Sequence, residues 1–242
     1  MGERGAALVT GGARRIGRAL AKACAQAGYD VAIHVRHIDD DAEAAAGEVR
    51  ATGRKATLVA CDLRQEATTV ALVGQAEGEV GPITLLVNCA SLFEEDSLPT
   101  MNRASWDAHM DTNLRAPLVL AQAFARRLPA DRNGLIVNIL DQRVLRPTPE
   151  FFSYSLSKAA LWEATRMLAQ ALAPRIRVNG IGPGPTLPSI HQKAGDFERE
   201  AAGTLLQRQV EPAEIAAALR YLIDAPSVTG QMIAVDAGQH LA

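Results

Sequence analysis

The sequence predicts an α/β fold: a single doubly wound parallel sheet of seven strands with helices on both faces. Three observations carry the prediction. Short apolar runs alternate with longer segments of helical period along the whole chain. The runs are continuously apolar rather than alternating, as expected of strands buried on both faces. The strand–helix order repeats without interruption, and parallel strands need such crossover helices. Together they describe one Rossmann-type unit over residues 1–242. A unit of that length buries a core without disulfide or metal staples.

The elements follow in order. Strand Ala6–Thr10 leads into a helix over Arg14–Ala27. There Ile16, Ala19, Leu20, Ala23 and Ala27 recur at helical spacing, and Gly28 ends the run. Strand Val31–Val35, helix Asp41–Thr52, strand Ala56–Ala60, helix Glu66–Glu79 and strand Ile83–Asn88 come next. One long helix is expected over Arg103–Arg127, then strand Leu135–Leu140, helix Tyr154–Ala173 and strand Ile176–Ile181. Pro212 suits the first position of a helix reaching Ile223, and Met232–Val235 completes the sheet. Gly182–Thr204 is the least regular stretch, with Pro183, Pro185 and Pro188. A substrate lid over about 185–206 and a merely mobile loop fit its composition equally.

Composition excludes several functions. The 25 basic and 27 acidic residues leave a net charge of −2, without the basic excess that nucleic-acid binding needs. No apolar run approaches the length of about 18 residues that a membrane span requires. The N-terminus lacks a cationic start followed by a long apolar core, so no signal peptide is expected. Acylation at Gly2 is opposed by Ala6, where that motif carries Ser or Thr. A cytoplasmic protein is the expectation. Cys24, Cys61 and Cys89 form no CxxC pair; the first two read as buried thiols and the third as a packing residue. No histidine pair has metal-ligand spacing, so no metal is expected. His109 reads as a surface residue of its helix. Two Trp, three Tyr and five Phe are few for this length, so an aromatic in a loop stands out.

The first strand runs into Thr10-Gly11-Gly12-Ala13-Arg14-Arg15-Ile16-Gly17 and then a helix. Glycines at that junction permit a tight turn and close approach of a pyrophosphate, and the helix N-terminus supplies free N–H donors. An acid that would accept from both ribose hydroxyls is missing at the end of the second strand, which reads Val35-Arg36-His37. Arg36, His37 and Arg14 suit a 2′-phosphate instead, which favours NADPH over NADH; otherwise Arg36 is a solvated charge. His34 lies at the same strand end and is placed to approach the adenosine. Asp62, before Leu63, either accepts from an adenine amino group or caps the next helix. Tyr154 and Lys158 are four residues apart and share a helix face. A neighbouring ammonium lowers a phenol's pKa and makes it a usable acid near neutral pH.

With these residues in place, the chain resembles the short-chain dehydrogenase/reductases from about Ala6 to His240. The matching elements stand in order: the glycine turn Gly11–Gly17, Asp62-Leu63, Asn88-Cys89-Ala90-Ser91, Asn113, Tyr154 with Lys158, and Pro183-Gly184. The resemblance implies an NADP-binding oxidoreductase that is a homotetramer or homodimer, with the helices over Arg103–Arg127 and Tyr154–Ala173 as the interface. It makes Tyr154 the proton donor and Lys158 a ribose ligand that lowers the phenol's pKa. It assigns a proton-relay water to Asn113, and the walls of the nicotinamide half to Asn88, Ala90 and Pro183-Gly184. Thr186 and Leu187 are placed to reach cofactor or substrate.

Three departures narrow the resemblance. Arg15 stands where the family usually has Gly. Asp141 stands thirteen residues before Tyr154, where the family usually has Ser. Ser91 with Phe93 replaces the usual end of the Asn-Asn-Ala-Gly turn. Together they are similar to the pteridine reductase and dihydromonapterin reductase branch, as is the C-terminal Asp236-Ala237-Gly238-Gln239-His240-Leu241. That branch implies a pterin-like small-molecule substrate. A flat ring suits a sandwich between Phe93 and the nicotinamide, with its polar edge on Ser91 and Arg15 bridging it to the pyrophosphate. The reduced bond is then C=N, with Tyr154 giving the proton and Asp141 polarising the ring or orienting a water. Phe151, Phe152 and Phe197 are placed to flank the site. In the bland alternatives Asp141 is a structural acid and Phe93 a core side chain. The rival functions are a carbonyl reductase of 3-oxoacyl thioesters or small ketones, opposed by Asp141, and a non-catalytic NADP sensor or scaffold, opposed by the Asn113, Tyr154 and Lys158 set.

Overall fold

A computed structural model describes residues 4–189 and 191–242. Met1–Glu3, with Gly2, and Ile190 within the expected lid lie outside them. The strands are β1 (Ala6–Thr10), β2 (Asp30–Val35), β3 (Ala56–Ala60), β4 (Ile83–Asn88), β5 (Gly134–Ile139), β6 (Ile176–Pro183) and β7 (Met232–Val235). Among the described residues they form one seven-stranded sheet in the order β3-β2-β1-β4-β5-β6-β7. Every pairing is parallel.

The helices are α1 (Arg15–Gln26), α2 (Asp40–Arg50), α3 (Glu66–Val80), α4 (Arg103–Met110), α5 (Ala116–Arg127), α6 (Phe152–Leu172), α7 (Asp196–Ala202) and α8 (Pro212–Asp224). Successive residues of β1 feed opposite layers. Ala7 and Val9 join the layer built with Leu20 and Cys24 of α1, Ala46 and Val49 of α2, and Leu219 of α8. Ala6 and Leu8 join the layer of Leu72 and Val73 of α3, Leu120 and Phe124 of α5, and Ala169 of α6. The unbroken apolar runs follow from this double burial. Phe124 is fully buried and fills space left by Gly134, where a Cβ would stand 2.8 Å from its ring.

The strand order reverses between β1 and β4, which opens a crevice at the carboxyl ends of the strands. One expectation needs correction here. The segment Arg103–Arg127 is not one α-helix: a π-helical turn, Asp111–Arg115, separates α4 from α5. Pro117 supplies the reason. It has no N–H to donate to the carbonyl four residues back, that of Asn113, so the α pattern cannot run through this turn. The irregular segment after β6 contains α7, and its ends are fixed by Val210 N–H donating to Pro185 O (2.8 Å) and Leu206 N–H to Ala237 O (3.0 Å).

Candidate active site

The crevice is a cleft of 790 Å³ that runs from the glycine turn to the segment after β6. At its nucleotide end Thr10, the last residue of β1, accepts from the N–H groups of Cys89 and Ala90, each at 3.0 Å. This ties the glycine turn to the end of β4. Two glycines are obligatory. Gly11 has φ +64°, and a Cβ there would stand 3.0 Å from Ala90 Cα. A Cβ on Gly17 would fall 2.0 Å from the carbonyl oxygen of Gly11. Arg15 adopts the left-handed φ of +51° that glycine tolerates best. Its guanidinium donates to Leu187 O (3.0 Å) and Pro188 O (2.9 Å), across the cleft.

His34 is buried and staples three strand ends. Its Nδ1 accepts from Gly11 N–H (3.4 Å), so its Nε2 donates to Cys61 O (3.1 Å). Burial pushes its pKa down, which favours that neutral form. Arg36 is exposed on the cleft wall. Arg14 also lines the cleft, but its guanidinium is held by Asp39 (2.6 Å) and Asp41 (2.7 Å) at the start of α2. His37 stands outside the lining. Asp62 and Leu63 line the cleft, and the Arg64 guanidinium on the Asp62 carboxylate holds its pKa down at about 2. Gln65, not Asp62, is the cap position of α3, so the helix-cap alternative fails. Cys61 is half-buried on the cleft wall rather than enclosed in the core.

At the other end Asp141, Tyr154 and Lys158 meet. The Tyr154 hydroxyl donates to Asp141 Oδ2 (2.7 Å), while Asp141 Oδ1 accepts from Arg143 N–H (2.8 Å). Lys158 Nζ donates to Ile139 O (2.8 Å) and stands 5.8 Å from the Tyr154 ring centroid. Tyr154 and Lys158 are buried. The expected lowering of the phenol's pKa does not occur in this arrangement. Burial and the neighbouring Asp141 carboxylate push Tyr154 well above the ordinary tyrosine value. Burial pushes Asp141 up as well, and it brings Lys158 down to about 8 against the pull of Asp141.

Phe93 is the hub of an aromatic wall. Its ring stacks on Phe151, with centroids 4.2 Å apart and planes at 13°, and meets the edge of Tyr154 at 4.6 Å. Phe151 takes a left-handed φ of +52° at the start of α6. From the segment after β6, His191 Nε2 reaches Phe93 O (2.9 Å), and its ring packs edge-on against both phenylalanines.

Beneath this wall lies a buried relay. His109 is fully buried, not on the surface as its helix position suggested. Its Nε2 accepts from Glu94 N–H (3.1 Å) and its Nδ1 pairs with Ser153 Oγ (2.7 Å). Ser153 in turn donates to Asp96, which also accepts from Ser153 N–H (2.9 Å). The relay fixes the loop after β4 to the start of α6, and so fixes Phe93 relative to Tyr154.

Asn113 lies below the lining. Its Oδ1 accepts from Leu92 N–H (2.8 Å) and Ser91 Oγ (3.2 Å); its Nδ2 donates to Leu92 O (2.9 Å) and Ser157 Oγ (3.0 Å). The side chain has no hydrogen-bonding capacity left. Asn88 is also beneath the surface, donating to Asn138 Oδ1 (2.8 Å). Ile16, Ala90 and Ser91 line the cleft, as do Pro183, Gly184, Thr186 and Leu187; Phe151 and Phe197 do so, and Phe152 does not.

Sequence reasoning missed several wall residues. Arg143 follows Asp141 on a 3-10 turn, Gln142–Val144. His191 arrives from the irregular segment. Glu200 and Gln239 join through a 2.8 Å hydrogen bond, 39 residues apart. No local pattern marks these positions. Among the described residues no group of His, Cys, Asp and Glu could hold a metal ion, and no helix is long and apolar enough to cross a membrane.

The short chain dehydrogenase family model matches residues 5–199. The chain belongs to the short-chain dehydrogenase family. As a member it is an oxidoreductase. The crystal structure of FolM alternative dihydrofolate reductase 1 from Brucella canis, complexed with NADP, is 51% identical with a TM-score of 0.95, covering 99% of this chain and 95% of that one. An uncharacterized oxidoreductase of Mycobacterium tuberculosis is 36% identical over 96% of this chain and 90% of its own length. A 3-oxoacyl-[acyl-carrier-protein] reductase of Staphylococcus epidermidis is 28% identical over 97% of this chain and 98% of its own length. This family member thus has relatives with different names, and its wall residues must decide between them.

Proposed function

We propose that this chain is an NADPH-dependent reductase of a C=N bond in a pterin or dihydrofolate-like substrate. The observation that carries the reading is the 2.7 Å hydrogen bond between Tyr154 and Asp141 beside the Phe93 ring. A ketone reductase needs a neutral hydroxyl donor at position 141; a carboxyl there suits a basic ring nitrogen that must gain a proton. The similarity to the FolM alternative dihydrofolate reductase 1 of Brucella canis supports the same choice.

The residues present fit a dinucleotide. Gly11 and Gly17 leave a cradle that a Cβ would fill. Two of the three Lys158 N–H donors have no partner among the described residues, and the buried Asn88 Oδ1 is unpartnered. Lys158 would hold the ribose diol, and Arg15, Ile16 and Gly17 the pyrophosphate. Arg36 favours a 2′-phosphate, with Asp62 and Leu63 along the adenine. Ala90, Pro183, Gly184 and Thr186 wall the nicotinamide half, with Asn88 beneath them. The bound cofactor supplies a hydride from its nicotinamide ring.

The chain's own residues do the rest. Phe93 stacks the flat substrate and Ser91 and Arg15 orient its polar edge. Tyr154 delivers a proton to the ring nitrogen, and Asp141 accepts the hydrogen bond that holds the phenol in place. Asn113 holds a relay water through its main-chain carbonyl, because its side chain is fully engaged and Pro117 gives that carbonyl no α-helical donor. The chain forms one folded domain with a lid at about 185–206, and associates as a homotetramer or homodimer through the α4–α5 and α6 faces. On α6, Leu156 and Met167 are exposed.

The test is NADPH oxidation with dihydrofolate, a dihydropterin and an acetoacetyl thioester, side by side. The reading requires kcat/KM for one of the first two to exceed the thioester's by at least about tenfold, a difference of roughly 1.4 kcal/mol. The reverse order would establish the carbonyl-reductase alternative.

A further inference from the structure

Both ends of the cleft carry cations, and the proposed chemistry leaves Arg143 without a role. At the nucleotide end Arg14 and Arg64 are neutralised by Asp39, Asp41 and Asp62. Arg15 and Arg36 remain there for phosphates. Arg143 stands at the far end, two residues after Asp141. Its guanidinium lies 5.4 Å from the centroid of the Phe151 ring and donates to Thr148 Oγ1. No carboxylate of a described residue is within ion-pairing distance of it. The charge of Glu150 is held low in pKa mainly by its own backbone and Thr148, with Arg143 a minor influence. Of the other acids of this wall, Glu200 accepts from Gln192 (2.7 Å) and Gln239 (2.8 Å), Asp196 pairs with Arg199, and Asp141 accepts from Tyr154; Glu95 also lines the cleft.

The position has a direction as well as a charge. Phe151 stacks on Phe93, and Arg143 packs over Phe151. A flat ring held against Phe93 therefore shares its wall with a half-exposed guanidinium. That group offers a planar fork of donors. The phosphates of a bound dinucleotide would be held at the glycine turn, away from Arg143, which leaves the guanidinium to an anion on the substrate.

We propose that Arg143 binds an anionic group, a carboxylate or a phosphate, carried on the substrate's side chain beyond the flat ring. The inference rests on the pterin-like reading of the substrate. It makes Arg143 a specificity residue for tailed substrates, beside the Asp141 and Tyr154 pair whose pKa values its charge also draws down.

The test is a ratio. kcat/KM is measured for dihydrofolate, whose tail ends in carboxylates, for a dihydropterin phosphomonoester, and for a dihydropterin with a neutral side chain. The enzymes are the wild type, Arg143→Leu and Arg143→Lys. Melting temperature and NADPH binding verify that each variant is folded. In Arg143→Leu the ratio of anionic to neutral substrate falls about tenfold, mainly through KM, as loss of one charge-assisted contact predicts. Arg143→Lys restores most of the ratio, and added salt lowers the ratio in the wild type. A fall confined to dihydrofolate identifies the carboxylate source, and one confined to the phosphomonoester the phosphate. An unchanged ratio in Arg143→Leu, or equal losses on all substrates, overturns the proposal and leaves the reductase reading intact. A wild type that reduces none of the three overturns both.

Discussion

The two halves of the cleft are built from different materials. The nucleotide half is backbone: glycine turns, strand ends and a helix N-terminus, with Thr10 and His34 as staples. The proposed substrate half is side chain: Phe93, Phe151, Asp141, Tyr154 and Arg143, brought together from two loops, after β4 and after β5, and one helix. A backbone site is fixed by steric space and tolerates little change. A side-chain site can be re-specified residue by residue, which is how one family comes to serve many substrates.

The contrast breaks first at the chemistry. Tyr154→Phe removes the proposed proton donor but leaves the cradle, so kcat falls by about 10³-fold, within the usual range for a lost general acid, while NADPH binding stays within a few-fold. Single-turnover kinetics with a binding titration checks both. In the nucleotide half the pattern inverts. Gly17→Ala places a methyl group 2.0 Å from a backbone oxygen that cannot turn away. NADPH affinity drops at least about tenfold and the fold loses about 1–3 kcal/mol, the usual cost of overpacking. Fluorescence titration and thermal melting report the two effects.

A smaller effect sharpens the electrostatics. Lys158 has a pKa of about 8, set by burial and opposed by the Asp141 charge. Raising the pH through that value discharges the ammonium, so reductase activity declines on the alkaline side. Asp141→Asn removes the charge that supports the ammonium. The alkaline limb therefore moves to lower pH, by about a unit or less. A pH–rate profile of kcat for both proteins measures the shift; a limb that moves upward contradicts this account.

The same division decides what could be read from the chain. Strand and helix order follows from periodicity, and the nucleotide half follows from Gly11, Gly17 and the residues at each strand end, all local in sequence. Tyr154 and Lys158 are legible because helical spacing places them on one face. The relation of Tyr154 to its surroundings was not legible. The ammonium was expected to govern its pKa; burial and a carboxylate from the end of β5 push it up instead, and the charge that opposes them is that of Arg143. His109 looked like a surface residue because its partners, Glu94 and Ser153, lie 15 and 44 residues away. Gln239 and Arg143 join the wall only through the tertiary fold. The π-helical turn was written in Pro117, but its consequence at Asn113 depends on how the Asn113 side chain is spent.

The central claim is that a carboxyl at position 141 selects a ring nitrogen over a ketone. The most direct measurement is kcat/KM of Asp141→Ser for a dihydropterin or dihydrofolate, against an acetoacetyl thioester, with melting temperature and NADPH affinity in parallel. The account predicts that pterin reduction falls at least about tenfold while stability and cofactor binding are kept. Pterin turnover retained at the wild-type level in a folded, NADPH-binding Asp141→Ser protein would contradict it.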